Sequence, residues 1–438
     1  MEEEPQRLPA VHEAWLPREH ALYRPRHSGR QRTALTCALV FFLTPTLLWV
    51  FGARPAEIEN HKLAGFPSLS EGWGVFTGLP AWATDQLIFR SGAIAAADGI
   101  SRALFGEPAP LDQGGVPNSG PLPGSPPAPG GPLAPNGPAP GPTGGEAGYR
   151  KVIEGNDGWL YYGYDTEAKC VPTRPIAESV QKLLALRDAV ERSGRRFVLV
   201  VAPDKTTMVP QHLPGSYPGK DCATAASPEV WDRLVREAGA VDLRPALAAE
   251  QQRMGREIYP AKDSHWTDDG SVVFTRTLAE QIRPGSTAGW VVAPDGDYTI
   301  DADLPPLIGK RGERSSARFH LLPDGVTNRN GEQINNIEEP VRIRNRPLPG
   351  IIDERTLLYG DSFLTVSSRY LAAGFRDLTM LAYFNSRGST SAAVEAFADS
   401  EVVVVEMVER AASAGNLPFL QDAFIRQVRE TLAARPIR

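Results

Sequence analysis

The stretch LLYGDSFL, Leu357 to Leu364, runs an apolar strand pattern directly into glycine, aspartate and serine. A short run that is apolar at successive positions suits a strand covered on both faces, as in a parallel sheet flanked by helices. In such sheets reactive groups collect at the carboxyl ends of the strands, and glycine permits the tight turn that lifts the next side chain into the open. Ser362 is therefore placed like a nucleophile. An isolated G-D-S triplet is also compatible with an ordinary turn, so the surroundings have to decide.

Working outward, RRFVLVVAP from Arg195 and EVVVVEMVE from Glu401 repeat the buried-strand pattern. Between them lie helical signals. Ile176, Val180, Leu183, Leu184, Arg187 and Val190 recur at helical spacing, with Gly194 as a stop signal. Ser227 followed by Pro228 and Glu229 reads as the entrance of another helix. Helices alternating with fully buried strands predict an α/β sheet. From Tyr298 to Gly350 turn residues and short alternating stretches break the rhythm, which predicts an insertion of hairpins and loops. Within it Lys310, Arg311 and Arg314 form a basic cluster that a solvated loop would explain equally well.

The second informative stretch is AKDSHWTDDG, Ala261 to Gly270. A serine hydroxyl is a weak nucleophile and needs a base within hydrogen-bond reach, itself held in one tautomer by a carboxylate. His265 and Asp263 could supply both. Thr267 reads as the N-cap of a helix whose acidic first turn, Asp268 and Asp269, suits the helix dipole. A lone D-x-H is also found as a surface pair or a partial metal site, but no third ligand stands out nearby and no metal is expected. Trp266 is either a core residue or a platform for a sugar.

The chain has 438 residues, with 46 Lys and Arg against 52 Asp and Glu for a net charge of −6, and no extended basic stripe. Nucleic acid is not an expected partner. TALTCALVFFLTPTLLWVFGA, residues 33–53, carries no charge and is long enough to cross about 30 Å of hydrocarbon as a helix. Arg24, Arg26, Arg30 and Arg32 precede it, so residues 1–32 are expected to be a cytoplasmic tail and everything after Ala53 extracytoplasmic. A cleaved signal peptide is the alternative. Residues 54–105 are expected to be a juxtamembrane segment that packs on the catalytic body, because Trp73, Phe76, Trp82, Leu87 and Phe89 are too apolar for water. Residues 106–148, dominated by proline and glycine, are expected to be a disordered linker, and residues 149–438 the catalytic domain. Of the three cysteines, Cys37 falls in the apolar run. Cys170 and Cys222 remain outside, as a disulfide or a free pair.

Several blocks, in this order, resemble the alginate O-acetyltransferase family of the AlgX/AlgJ type. They are ENHKLAGFP from Glu59, DQLIFR from Asp85, GNDGWLYYGYD from Gly155, VAPDKTTMVP from Val201, DSHW from Asp263, GDSF from Gly360 and EVVVVEMVER from Glu401. The resemblance implies a permuted SGNH hydrolase-like fold, in which the D-x-H half precedes the G-D-S half. By resemblance Ser362 would be the nucleophile, His265 the general acid and base, and Asp263 its orienting carboxylate. Asn385 in YFNSRG is a candidate second oxyanion donor beside the Ser362 amide, and Lys205 and Trp266 are candidate substrate-binding residues. The resemblance also implies a polysaccharide acceptor, no cofactor, and a membrane-bound O-acyltransferase that hands over the acetyl group. A glycan acetylesterase with the same triad, and a non-catalytic glycan-binding scaffold, are the competing expectations.

Overall fold

The computed structural model describes residues 29–53, positions 66, 67, 79, 82, 86, 96 and 100, and residues 148–384 and 390–437. The chain divides into two compact units, Met1–Glu57 with Lys62–Ala93, and Ile58–His61 with Ile94–Arg438. In the first unit most of the uncharged run lies in helix α1, Gly29–Val50, which begins at Gly29, ahead of Arg30 and Arg32, and continues through Pro45. Its Leu39, Phe41, Phe42 and Leu47 are exposed, as the side chains of a lipid-facing helix are. Among the described residues it is the one helix long and apolar enough to cross a membrane. Trp49, near its end, donates from Nε1 to Gln86 Oε1 at 2.9 Å and meets the Trp82 ring edge-on. Residues 29–32, expected at the end of the tail, form the start of α1; the rest of the tail, nearly all of the 106–148 linker and most of the juxtamembrane segment lie outside the described residues.

The second unit begins with the hairpin β1, Val152–Glu154, and β2, Leu160–Tyr162, followed by α2, Tyr164–Cys170, and α3, Ile176–Glu191. Then come β3, Arg196–Ala202; α4, Lys205–Met208; α5, Lys220–Asp232; β4, Val241–Asp242; α6, Arg244–Met254; and α7, Asp268–Ile282. A long hairpin, β5, Val291–Asp301, and β6, Glu313–Leu322, leads to β7, Val341–Arg344, and β8, Thr356–Gly360. The unit closes with α8, Ser362–Gly374; β9, Asp377–Ala382; α9, Thr390–Ala398; β10, Val402–Val408; α10, Glu409–Ala414; and α11, Asp422–Ala434.

Among the described residues the main sheet has the order β4-β3-β10-β8-β9-β7, parallel throughout except for β7 against β9. The strands read as continuous apolar runs because both faces are covered. Val402 to Val405 are each no more than 1% exposed, and burying each valine side chain contributes about 1.5–3 kcal/mol. Helices α7 and α8 pack together, as do α3, α9 and α11. The parallel arrangement brings the carboxyl ends of β3, β10 and β8 side by side at one end of the sheet.

Two expectations are corrected here. The helix assigned to start at Ser227 starts at Lys220 and runs through Pro228. Proline inside a helix forfeits one backbone bond, and the buried Val230 and Trp231 that follow hold the helix against that loss. The hairpin insertion starts at Val291, before Tyr298, and its last strand, β7, joins the main sheet as an antiparallel edge. Alternating exposure along β7 reflects that edge position. Cys170 and Cys222 form a disulfide between α2 and α5.

Candidate active site

The serine half is built by the end of β8. A Cβ on Gly360 would stand 2.4 Å from Glu406 Oε2 and 2.8 Å from the Leu364 side chain, so a larger residue there would displace the Glu406 carboxyl that pins the turn. The next residue, Asp361, caps α8 by accepting the Phe363 amide at 3.0 Å. Its other oxygen accepts from the Tyr383 hydroxyl at 2.8 Å and the Val408 amide at 2.9 Å. The Asp361 amide itself donates to Glu406 Oε2 at 3.0 Å. Burial, then the charge of Asp361, holds the Glu406 carboxyl well above the usual carboxylate range. With the turn pinned to β10 in this way, Ser362 is left half-buried as the first residue of α8.

The histidine half is a loop held from behind. The Lys205 ammonium, on α4 after β3, donates to the carbonyls of Leu160 at 2.7 Å, Pro260 at 2.6 Å, Ala261 at 2.9 Å and Asp263 at 3.1 Å. Asp263 Oδ1 accepts the His265 amide at 2.9 Å and lies 3.0 Å from His265 Nδ1. On the other side of the ring, His265 Nε2 lies 2.8 Å from Ser362 Oγ. The structure thus brings Ser362, His265 and Asp263 into one hydrogen-bonded chain. Two residues that the sequence reading did not assign to the site complete its surroundings. Asp303 Oδ2 lies 3.3 Å from His265 Nδ1, and Arg314 Nε lies 3.1 Å from Asp263 Oδ2.

The charges in this chain are strongly shifted. Burial alone would lower the His265 pKa, but hydrogen bonds to Asp263 and then Asp303 outweigh it and raise the value to about 9. For Asp263, burial would raise the pKa, whereas the His265 hydrogen bond and the Arg314 charge lower it to about 2. Burial pushes Lys205 down to about 7, against the pull of Asp303, Asp263 and Asp165. Asp263, His265 and Asp303 offer atoms within 4.8 Å of one another, a spacing that could also suit a cation. Here Nδ1 is engaged by the two carboxylates, and the Arg314 guanidinium supplies the positive charge, so we read the trio as a hydrogen-bonded charge cluster.

Other residues singled out from the sequence fall elsewhere. Trp266 is 1% exposed, donates to Ser367 Oγ at 3.1 Å and packs edge-on against Phe363, so it is a core residue and not a sugar platform. Lys205 is likewise 1% exposed and engaged by four carbonyls, so it shapes the loop and does not reach a substrate. Asn385 lies outside the described residues. Arg314, read as part of a solvated basic cluster, is buried on Asp263, whereas Lys310 pairs with Glu154 at 3.1 Å. No local pattern in TIDADLPP announces Asp303, because its contact depends on the path of the hairpin.

Beside this site, at the ends of β3 and β10, lies a buried ionic cluster. Arg410 meets Asp204 at 3.0 Å and Asp165 at 3.4 Å, while Lys169 meets Glu409 at 2.9 Å and Asp204 at 3.1 Å. A cavity of about 560 Å³ opens over Asp165 and Lys169, walled by Thr206, Tyr217 and Ser227.

The strand order, the strand-end serine and the D-x-H loop define an SGNH hydrolase-like α/β protein. Within that class, residues 152–299 match the family described as "SGNH hydrolase-like domain, acetyltransferase AlgX". The resemblance to AlgX/AlgJ-type SGNH hydrolase-like acetyltransferases is therefore borne out. The matched span contains Asp263 and His265 and stops short of Ser362.

Two relatives are named "Probable alginate O-acetylase AlgJ". The one from Pseudomonas syringae pv. tomato is 31% identical over 171 residues, which is 36% of this chain and 42% of the relative. The one from Pseudomonas putida is 28% identical over 175 residues, covering 36% and 43%. The chain thus matches less than half the length of either. Among solved structures, the O-acetyltransferase domain of Pseudomonas putida AlgJ aligns at 18% identity and a TM-score of 0.42, covering 64% of this chain and 98% of that one. Pseudomonas aeruginosa AlgX aligns at 18% and 0.41, covering 64% and 65%.

Proposed function

We propose that the protein is a membrane-anchored, extracytoplasmic O-acetyltransferase that acetylates hydroxyl groups of a cell-surface or exported polysaccharide through an acyl-serine. The observation that carries this reading is the contact chain from Ser362 through His265 to Asp263 at the carboxyl ends of parallel strands. The names of the matching relatives support acetyl transfer to a polysaccharide. Helix α1, with four arginines before its apolar run, supports anchoring with the amino terminus inside.

In this mechanism neutral His265 takes the Ser362 proton as Oγ attacks the acetyl carbonyl. The oxyanion is met by backbone N–H groups, among them that of Ser362 in the first turn of α8, where helix N–H groups lack intrahelical acceptors. The leaving group departs with the proton from His265, and acetyl-Ser362 remains. A sugar hydroxyl then gives its proton to His265 and attacks the ester, and collapse returns the proton to Ser362 Oγ. Asp263 stabilises the imidazolium formed in each half. The donor is an acetyl ester delivered across the membrane by a partner of the membrane-bound O-acyltransferase class.

The test uses the full chain in detergent with an activated acetyl ester, with and without an oligosaccharide. Acetylated sugar that disappears with Ser362→Ala supports transfer. Acetate alone, unaffected by the acceptor, would make the protein an esterase, and equal activity of Ser362→Ala would remove the serine from the reaction.

A further inference from the structure

The imidazole of His265 faces two carboxylates, and they are not equivalent. Asp263 Oδ1 already accepts the backbone amide of His265, and its Oδ2 faces Arg314 at 3.1 Å and the Asp303 amide at 3.4 Å. Its lone pairs are divided, and the guanidinium offsets its charge. Asp303 is bound differently. Its Oδ1 accepts the Ser264 amide at 2.8 Å, and its Oδ2 accepts the Ser264 hydroxyl, both neutral donors. The backbone around it is anchored, with the Ala302 amide on Gly312 O at 2.9 Å and the Leu304 amide on Lys262 O at 3.3 Å.

We propose that Asp303 is a second positioning carboxylate for His265, sharing the Nδ1–H with Asp263 and supplying the negative charge that Arg314 offsets on Asp263. Formal charges on Asp263, Asp303, Arg314 and His265 balance when the imidazole is protonated, which is the state formed during each transfer step. Lys205, the other nearby cation, donates its hydrogen bond to the Asp263 carbonyl, while its charge acts on Asp303 and Asp263 only through space. The second carboxylate therefore favours the imidazolium in a way that Asp263, tied to Arg314, cannot do alone. Because Asp303 follows β5 directly, the hairpin insertion becomes part of the base. The inference rests on the acyl-transfer reading for its catalytic meaning, but not for its effect on the imidazole.

The experiment uses the full chain in detergent, in a Ser362→Ala background, with the His265 imidazole titrated by NMR with and without Asp303→Asn. The asparagine keeps an oxygen for the Ser264 donors. The expected result is a His265 midpoint lower by about one pH unit, with Asp303→Glu restoring it. In the active background the rising limb of the pH–rate profile should move to lower pH by the same amount, with kcat reduced ~10-fold and KM for the oligosaccharide unchanged. If Asp303→Asn does not fold, Asp303→Ser provides the same comparison. An unchanged midpoint in a folded Asp303 variant overturns the inference and leaves the acetyltransferase reading standing. Failure of that reading would appear separately, as full transfer by Ser362→Ala.

Discussion

His265 Nε2 and Ser362 Oγ lie 2.8 Å apart although 97 positions separate them in the chain. The segment between them contains the hairpin that carries Arg314 and Asp303, so the contact is closed by the same excursion that charges the imidazole. A base must be neutral to accept a proton, and the folded-state pKa of His265 is raised to about 9 by its two carboxylates. Below that value the imidazolium predominates. The kcat/KM of acetyl transfer is therefore expected to rise with pH through 7 and 8, to reach half its plateau near 9 and to level off only above that value. A profile already flat at pH 7 would contradict this.

Lys205 is expected to act through the loop it holds. Lys205→Met leaves the carbonyls of Leu160, Pro260, Ala261 and Asp263 without their shared donor. One or more buried unsatisfied acceptors should cost about 1–3 kcal/mol each where water cannot reach them. Denaturant unfolding should show that loss. Kinetics should show kcat reduced while KM for the oligosaccharide stays near wild type, and a large KM change would return Lys205 to the substrate.

Arg410 is the only arginine in the buried cluster among the described residues, and Arg410→Met strands Asp165 and Asp204 without it. Removing one partner of a buried ionic group typically costs about 3–5 kcal/mol. A loss of unfolding free energy of that size, read from urea denaturation, is expected. Tm unchanged within a degree would mean that water already reaches these carboxylates.

The Cys170–Cys222 disulfide spans a sequence separation of 52 and joins the helices α2 and α5. Loop-closure entropy assigns such a cross-link about 4 kcal/mol. Cys170→Ser with Cys222→Ser should lower stability by up to that amount under non-reducing conditions. Wild-type protein titrated with dithiothreitol should lose the same increment.

Much of the scaffold was legible because buried parallel strands have few sequence options. The valines of β10, the apolar run of β3 and the strand before Gly360 could each be read from composition over five to seven residues. Thr267 as the residue before α7 was legible from capping preference, although its hydroxyl turns to Asp269. Asp263, His265 and Ser362 could be named from two short stretches. Their neighbours could not, because Asp303 and Arg314 reach the site through a hairpin whose path is set by tertiary packing. The start of α5 was misplaced for a similar reason: Ser227-Pro228 is a strong local signal for a helix entrance, and the packing of Val230 and Trp231 overrides it.

The last strand among the described residues, β10, occupies the middle of the sheet between β3 and β8. As the polypeptide emerges from amino to carboxyl end, β3 and β8 are made with no strand to join them and stay unsealed until Val402–Val408 arrives. A premature stop before that point would remove the keel of the sheet and not a margin. Such a fragment would be a sticky, inert chain, even though every residue of the Ser362–His265–Asp263 constellation had been synthesised.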